Sequence, residues 1–434
     1  MGRAPTEVAA PQRERSLGGM TSKLDRRDLL GAALLLGPAA TVPAHAASPG
    51  DADSWRAIAD QYDITREIVP FENGMWGMMP KPVMEAYRRK TEMVNRRNSF
   101  YARQRFDADL ERVRALAARD LGVATAEIAF TRGATEALMT LINGYNRLRP
   151  GDAVLYADLD YDSTQSAFEW LKAHRGVDVV SIALPEPATH QNLIDAYEAA
   201  LKANPKVRLM LVTHVSHRTG LVLPVAEIVA MARARGVDAI VDSAHAWGQL
   251  DFKLGDLKAD FIALTCQKWI GAPVGTGLMY VRRDRIGDID NAIGNGGFAE
   301  DDIRRRIHTG TSNFAAFLAL EDALDFHQKI GAAAKEARLR QLRDRWAEQL
   351  RGRIEILTPS DPRLTSGIAS FRLRGHASHA QNIADAETLL KKFRIFTVER
   401  SGVASGSCIR VTCAVFTREA EVDQLVAALK TMAG

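Results

Sequence analysis

The chain reads as an α/β protein, with a large domain on a mainly parallel, seven-stranded-type sheet and a small α+β domain at its C-terminal end. Short apolar runs alternate with helical periodicities between residues 128 and 281, as in a parallel sheet covered on both faces. Two of those runs deliver an ionisable residue at their carboxyl ends, where ligands of such sheets lie: Asp242 after Ala239-Ile240-Val241, and Lys268 just beyond Phe261-Ile262-Ala263-Leu264-Thr265. From about residue 352 the pattern changes to short strands at Ile354-Leu357, Gly367-Leu373, Ile395-Val398 and Ile409-Val411, with helices between and after them.

Residues 1–46 read as a twin-arginine-type export signal. Arg26-Arg27 precedes an apolar run from Leu29 to Val42, and Ala44-His45-Ala46 is an A-x-A cleavage pattern. The run is too short and too weakly apolar to span a bilayer, so an exported, periplasmic protein is expected. Residues 47–70 form an N-terminal arm, 71–325 the large domain and 326–434 the small one. Phe71-Glu72-Asn73-Gly74-Met75-Trp76-Gly77 is a glycine-punctuated loop. Helices are predicted over about 83–95 and, from apolar spacing, about 106–121. Strands then fall at Ile128-Thr131, Ala153-Tyr156, Val177-Val180, Val207-Thr213, the two runs named above, and Gly277-Val281; helices are placed at about 135–147, 163–174 and 225–235. One long helix, about 314–350, is expected to link the domains.

Composition narrows the function classes. The 434 residues are 46% apolar and 25% charged, with a net charge of +4 and no basic stripe of the kind nucleic acid requires. Three cysteines, Cys266, Cys408 and Cys413, without a CxxC spacing define neither a disulfide framework nor a zinc site. No GxGxxG follows the early strands, which argues against a dinucleotide-binding oxidoreductase.

A carboxylate and an amine at adjacent strand ends suit pyridoxal 5′-phosphate (PLP). That cofactor needs an amine for a Schiff base and a carboxylate that keeps its ring nitrogen protonated. Lys268 precedes a loop of small residues, Gly271 to Gly277, that permits close backbone approach to a ligand. Desolvation would favour its uncharged amine. Asp242 alone could be a helix cap, but His245 follows in Asp242-Ser243-Ala244-His245 and suits either a contact with a ring oxygen or packing on the ring. Thr131-Arg132-Gly133-Ala134-Thr135-Glu136 lies at a strand-to-helix turn, which is either a phosphate cradle or an ordinary capping box. Tyr161 is placed to stack on a ring or to pack at an edge. Asn73, Trp76, Tyr101 and Arg103 are candidates for a substrate pocket, and Arg410 for a bidentate carboxylate contact.

Together with Gln267-Lys268-Trp269 and Gly310-Thr311-Ser312-Asn313, these residues resemble the class V aminotransferase group of fold-type I PLP enzymes, and most of all its isopenicillin N epimerase-like branch. The resemblance covers about 60–434. It implies a Lys268 Schiff base, Asp242 at the pyridine nitrogen, and Ala134, Thr135, Thr265 and Gln267 around the phosphate. It also implies Tyr161 where many relatives have a stacking histidine, and Arg410 as the carboxylate-binding arginine. Thr311 would reach the phosphate of a neighbouring subunit, so a homodimer is implied. His217 stands where many relatives carry asparagine, leaving either a contact with the cofactor's 3-hydroxyl or an acid/base role. The stretch Glu399 to Ser407 is short and lacks the nucleophilic cysteine of the group's desulfurases.

The expectation is a PLP-dependent enzyme acting at the α-carbon of an amino acid or an amino-acid-derived small molecule, epimerase-like. An aminotransferase, a periplasmic enzyme tailoring a peptide natural product, and a non-catalytic PLP-fold binding protein are the alternatives.

Overall fold

The central sheet forms where the sequence is most continuously apolar, because its strands are covered on both faces. Val207–Thr213, Asp238–Asp242 and Phe261–Thr265 bury nearly every side chain. The computed structural model describes residues 51–434, all within one compact unit, and the expected export signal lies outside them. No helix among the described residues is long and apolar enough to cross a membrane.

In chain order, α1 (Ala52–Ala59) leads to β1 (Val69–Pro70), α2 (Lys81–Gln104) and α3 (Phe106–Leu121). Then come β2 (Ile128–Thr131), α4 (Ala134–Gly144), β3 (Ala153–Ala157), α5 (Asp162–Arg175), β4 (Asp178–Ile182), α6 (His190–Ala203), β5 (Val207–Thr213), α7 (Val225–Arg233), β6 (Asp238–Asp242), β7 (Phe261–Thr265) and β8 (Gly277–Val281). The remainder holds α8 (Phe314–Ile330), α9 (Ala332–Leu350), β9 (Glu355–Ile356), β10 (Ile368–Arg372), α10 (His379–Phe393), β11 (Ile395–Phe396), β12 (Val398–Arg400), β13 (Cys408–Thr412) and α11 (Glu419–Ala433).

Seven strands make the large sheet, in the order β2-β8-β7-β6-β5-β3-β4. Only the pairings of β8, with β2 and with β7, are antiparallel. Four antiparallel-paired strands, β12-β13-β10-β9, make the small sheet. One buried cluster runs from the α3 side of the large sheet to Leu357, Leu364 and Ile368 beside the small one. A second fills the small sheet's own core around Trp346, Phe371 and Val422.

Three expectations are corrected. The long helix over 314–350 is two helices, because Gly331 has φ 88°, in the left-handed region, and interrupts the helical backbone. Position 325, the expected end of the large domain, therefore falls inside α8, which packs on α2 and α3. The Ile395-Val398 run is two strands: β11 pairs in parallel with β1, while β12 pairs with β13. The helix expected over 83–95 extends from Lys81 to Gln104, with Asn98 out of helical geometry (φ 44°) at a kink. Helix α6, which no expectation covered, is opened by Thr189, whose side chain accepts from the Asn192 N–H at 3.1 Å.

Register aligns the strand ends that matter. Thr213 on β5 faces Asp242 on β6, and Asp242 faces Ala263 on β7. Side chains at the carboxyl ends of three adjacent parallel strands thus open into the same crevice.

Candidate active site

A cavity of about 510 Å³ lies at those strand ends. Its wall includes Ala134, Thr135, Tyr161, His217, Asp242, His245, Thr265, Gln267, Lys268 and Arg410, so the structure brings together ten of the residues singled out in the sequence.

Lys268 follows β7 and is held from behind. Its neighbour Gln267 accepts the Gly77 N–H on its carbonyl at 2.7 Å. Gly77 presses so closely that a Cβ there would lie 1.7 Å from the Lys268 carbonyl oxygen. Gly77→Ala is therefore expected to push the Lys268 loop out of place, costing about 1–3 kcal/mol of stability and lowering cofactor retention. Thermal melting and cofactor content per chain check this.

The amine of Lys268 is 2.9 Å from His245 Nε2. Trp269 Nε1 donates to His245 Nδ1 at 3.4 Å. An indole N–H only donates, so Nδ1 accepts and the imidazole proton sits on Nε2, facing Lys268. Burial holds His245 well below the usual histidine range, and the positive charge of Lys268 pushes the same way. Burial also draws the Lys268 amine down to about 8; Asp242 opposes that shift, while Arg410 and Arg400 add to it. An uncharged amine accepting from Nε2–H satisfies both groups.

Asp242 is buried, and its Oδ1 accepts the Ala244 N–H at 2.9 Å. Burial raises its pKa against the opposing pull of that N–H and of Lys268. Among the described residues no cation pairs with it within 4.0 Å, so the carboxylate faces the cavity without a direct counter-charge.

The N-terminus of α4 also lines the cavity. Thr265 Oγ1 accepts the Ala134 N–H at 3.1 Å, and Gln267 Oε1 accepts the N–H groups of Gly275 (2.5 Å) and Thr276 (3.2 Å). Glu136 closes the turn by accepting the Arg132 N–H at 2.6 Å, as a capping residue does. The capping reading holds, and Gly133, Ala134, Thr135 and Glu136 at the start of α4 also line the cavity. Tyr161 opens α5, with its ring edge-on to His217 at a centroid distance of 5.4 Å. Burial keeps His217 well below the usual histidine range.

This donor set fits PLP. A desolvated amine, a buried carboxylate without a direct cationic partner, an aromatic wall and a helix N-terminus surround a single cavity, which matches the aldehyde, ring nitrogen, ring face and phosphate of that molecule.

Four expected residues stand elsewhere. Tyr101 is in the core, its hydroxyl bound to Asp109 at 2.9 Å and its ring edge-on to Phe106, so it cannot reach a substrate. Asn73 is a backbone clamp, with Nδ2 donating to the carbonyls of Pro70 (3.1 Å) and Thr412 (2.9 Å). Trp76 and Arg103 are exposed and do not line the cavity, although Met75, beside Trp76, does. Thr311, expected at the site of a neighbouring subunit, is exposed and lies outside the cavity of its own chain. Arg410 does line the cavity, but it already holds a carboxylate: Nη2 donates to both oxygens of Glu72, at 2.5 and 2.7 Å.

Sequence reasoning passed over Glu72, Arg400 and Asp160. Asp160 is buried and accepts the Thr213 hydroxyl at 2.6 Å and the Ala157 N–H at 2.7 Å, which fixes the turn that presents Tyr161. Burial pushes its carboxyl up to about 6. Its signal was Asp160 beside Tyr161 at a strand end. All three cysteines are buried and none lines the cavity; burial pushes the Cys408 thiol up to about 12.

Comparison with known proteins identifies the family. The family model for aminotransferase class-V matches residues 77–425. Isopenicillin N epimerase of Streptomyces clavuligerus is 28% identical over 403 residues, covering 88% of this chain and 98% of that protein. A cysteine desulfurase of Pectobacterium atrosepticum is 27% identical, over 80% of this chain and 87% of its own. Among solved structures, a lysine-to-alanine mutant of C-DES with glycine covalently linked to its PLP cofactor superposes with a TM-score of 0.73, at 24% identity over 85% of this chain and 98% of that one. The chain belongs to the class-V aminotransferase family.

Proposed function

We propose that this protein is a PLP-dependent enzyme acting at the α-carbon of an amino acid or an amino-acid-derived small molecule, with epimerase-like chemistry. The observation that carries this reading is the Lys268 amine, desolvated and 2.9 Å from His245 Nε2, in one cavity with the buried Asp242 carboxylate. The similarity to isopenicillin N epimerases supports the branch. The absence of a cysteine from the cavity wall weighs against desulfuration.

PLP, when bound, supplies an electron-accepting ring that lowers the cost of charge at the α-carbon. Lys268 Nζ is the group that moves the α-proton. His245 Nε2–H orients that amine, and burial favours its neutral form. Asp242 would keep a proton on the ring nitrogen of that group, a role suited to a buried carboxylate facing the cavity. Tyr161 and His217 form the wall on which a second acid or base for epimerisation would stand. Thr265, Gln267 and the start of α4 would hold the phosphate end.

The decisive experiment incubates the PLP-loaded protein with amino acids in heavy water, following α-proton exchange, optical rotation and keto-acid formation together. Exchange with loss of chirality and no keto acid is expected. Keto acid dependent on a second amino donor would replace this reading with an aminotransferase, and absence of any exchange across a broad panel would point to a binding protein.

A pH dependence follows from the amine. With Lys268 titrating at about 8, its neutral fraction rises roughly tenfold between pH 7 and pH 9 and then levels off, whereas an ordinary lysine would keep rising through that range. The rate at which cofactor-free protein takes up PLP is expected to follow the same curve, measured by the gain in visible absorbance. Export by the twin-arginine route and a homodimer with Thr311 at the neighbouring site complete the proposal.

A further inference from the structure

Four cationic side chains line the cavity: Arg132, Lys268, Arg400 and Arg410. Arg132 is taken by Glu136, with Nη2 to Oε1 at 2.7 Å. Lys268 faces His245. Arg410 is 1% exposed, gives Nη2 to both oxygens of Glu72 and gives Nη1 to the His217 carbonyl at 2.6 Å. Arg400 differs from the other three. Its Nη2 is 3.9 Å from Glu72 Oε1 and, among the described residues, its guanidinium makes no hydrogen bond, whereas Arg410 shares with it only an unpartnered buried Nε.

The small sheet places the two arginines together. Val398 on β12 is the register partner of Arg410 on β13, so Arg400, two residues further along β12, shares the face of Arg410 as its diagonal neighbour. Two positive charges on one face repel, and Glu72 stands between them. It is fixed there. Its Oε1 also accepts the Met75 N–H at 3.0 Å. The residues on either side are tied to β11 and β13: Phe71 gives its N–H to the Phe396 carbonyl (2.9 Å) and accepts the Thr412 N–H (2.8 Å), and Asn73 is clamped as described. A substrate carboxylate entering at Arg410 would have to displace an internal carboxylate held by three hydrogen bonds on an immobilised backbone.

We propose that Glu72 pre-empts Arg410 as an internal carboxylate and that Arg400 is the carboxylate-binding residue of this site. The substrate class follows, resting on the amino-acid reading above. Glu72, Arg400 and Arg410 together carry one net positive charge, which complements a single carboxylate. The site takes a monocarboxylate end and discriminates against two carboxylates on adjoining carbons.

The test uses the PLP-loaded full-length protein and two probes that have no amine and cannot react, propionate and succinate. Binding is read by isothermal titration and saturation-transfer NMR, so the result stands whether or not α-carbon chemistry is found. R400Q is expected to weaken propionate binding roughly tenfold to a hundredfold, the worth of a charge-assisted hydrogen bond lost. R410K, which keeps the charge facing Glu72, is expected to leave it within about threefold, and R400K to fall between. E72Q releases Arg410, so succinate should gain about tenfold relative to propionate. Circular dichroism and thermal melting establish that each variant is folded. Loss of propionate binding in folded R410K with retention in R400Q would show that Glu72 is displaced and would overturn the proposal. Equal affinity in all variants, or no propionate binding by the parent protein, would overturn it too.

Discussion

Lys268→Ala is expected to lower kcat/KM by about 10⁴-fold or more, the largest effect of any single change in this chain. The amine is asked to do two things, to attach the cofactor and to move the substrate's α-proton. No second lysine among the cavity-lining residues can take over. The variant should still fold. Lys268 contributes its backbone to the turn against Gly77, and that contact survives truncation at Cβ. Removing an amine whose charged form burial opposes costs little stability. His245 loses its Nε2–H acceptor, and water entering the vacated space can replace it. Visible absorbance of the isolated protein should fall as PLP is held only by the phosphate cradle and Asp242. Partial rescue by a small soluble amine such as methylamine separates a missing base from a collapsed site. Activity within tenfold of the parent protein would remove Lys268 from the mechanism.

The parts of this molecule that could be read from sequence share a physical property: they are set locally. Buried parallel strands appear as apolar runs because both faces are covered, so β5, β6 and β7 were placed nearly to the residue. Residues at their carboxyl ends inherit a common crevice from sheet topology, which is why Asp242 and Lys268, with His245 three residues on, could be assembled without coordinates, while Thr265 and Gln267 came from the family resemblance. Helix α6 went unseen because its buried positions, Leu193, Tyr197 and Leu201, are spread one per turn through polar sequence; the Thr189 cap was its clearest mark. The α8–α9 break was misread because Gly331 sits among strong helix formers. What could not be read is long-range. Glu72 and Arg410 are 338 residues apart, and nothing near either one announces the other. An arginine fit for a carboxylate was evident in the sequence, but its prior engagement was not. Tyr101 fails for the related reason that an aromatic residue near a loop can as easily face the core, and here the α3 packing took it.

Asp242→Asn should separate catalysis from stability. The substitution keeps the shape and the acceptor for the Ala244 N–H, now through the amide oxygen, but removes the charge. Without a carboxylate, the ring nitrogen is no longer held protonated and the ring accepts electrons poorly, so kcat is expected to fall about 10²- to 10⁴-fold. Stability of the cofactor-free protein should move the other way. Burial raises the Asp242 pKa, which means that the folded state favours the protonated form. The favourable contribution of such a group is fully present below its unfolded value and is lost as pH rises through the folded one, so at neutral pH the ionised carboxylate opposes folding. Asparagine has no charge to desolvate. The cofactor-free variant is therefore expected to melt on the order of 1–3 °C above the parent at pH 7 to 8, with the difference shrinking as pH falls toward about 4. Bound PLP should cancel or reverse the gain, because its protonated ring nitrogen is the counter-charge that the parent carboxylate awaits and the amide cannot use. Calorimetric scans of both proteins, with and without PLP, at two pH values supply the comparison. A variant that melts lower than the parent without cofactor would mean that Asp242 holds the fold through its charge, and its orientation toward the cavity would then need another explanation.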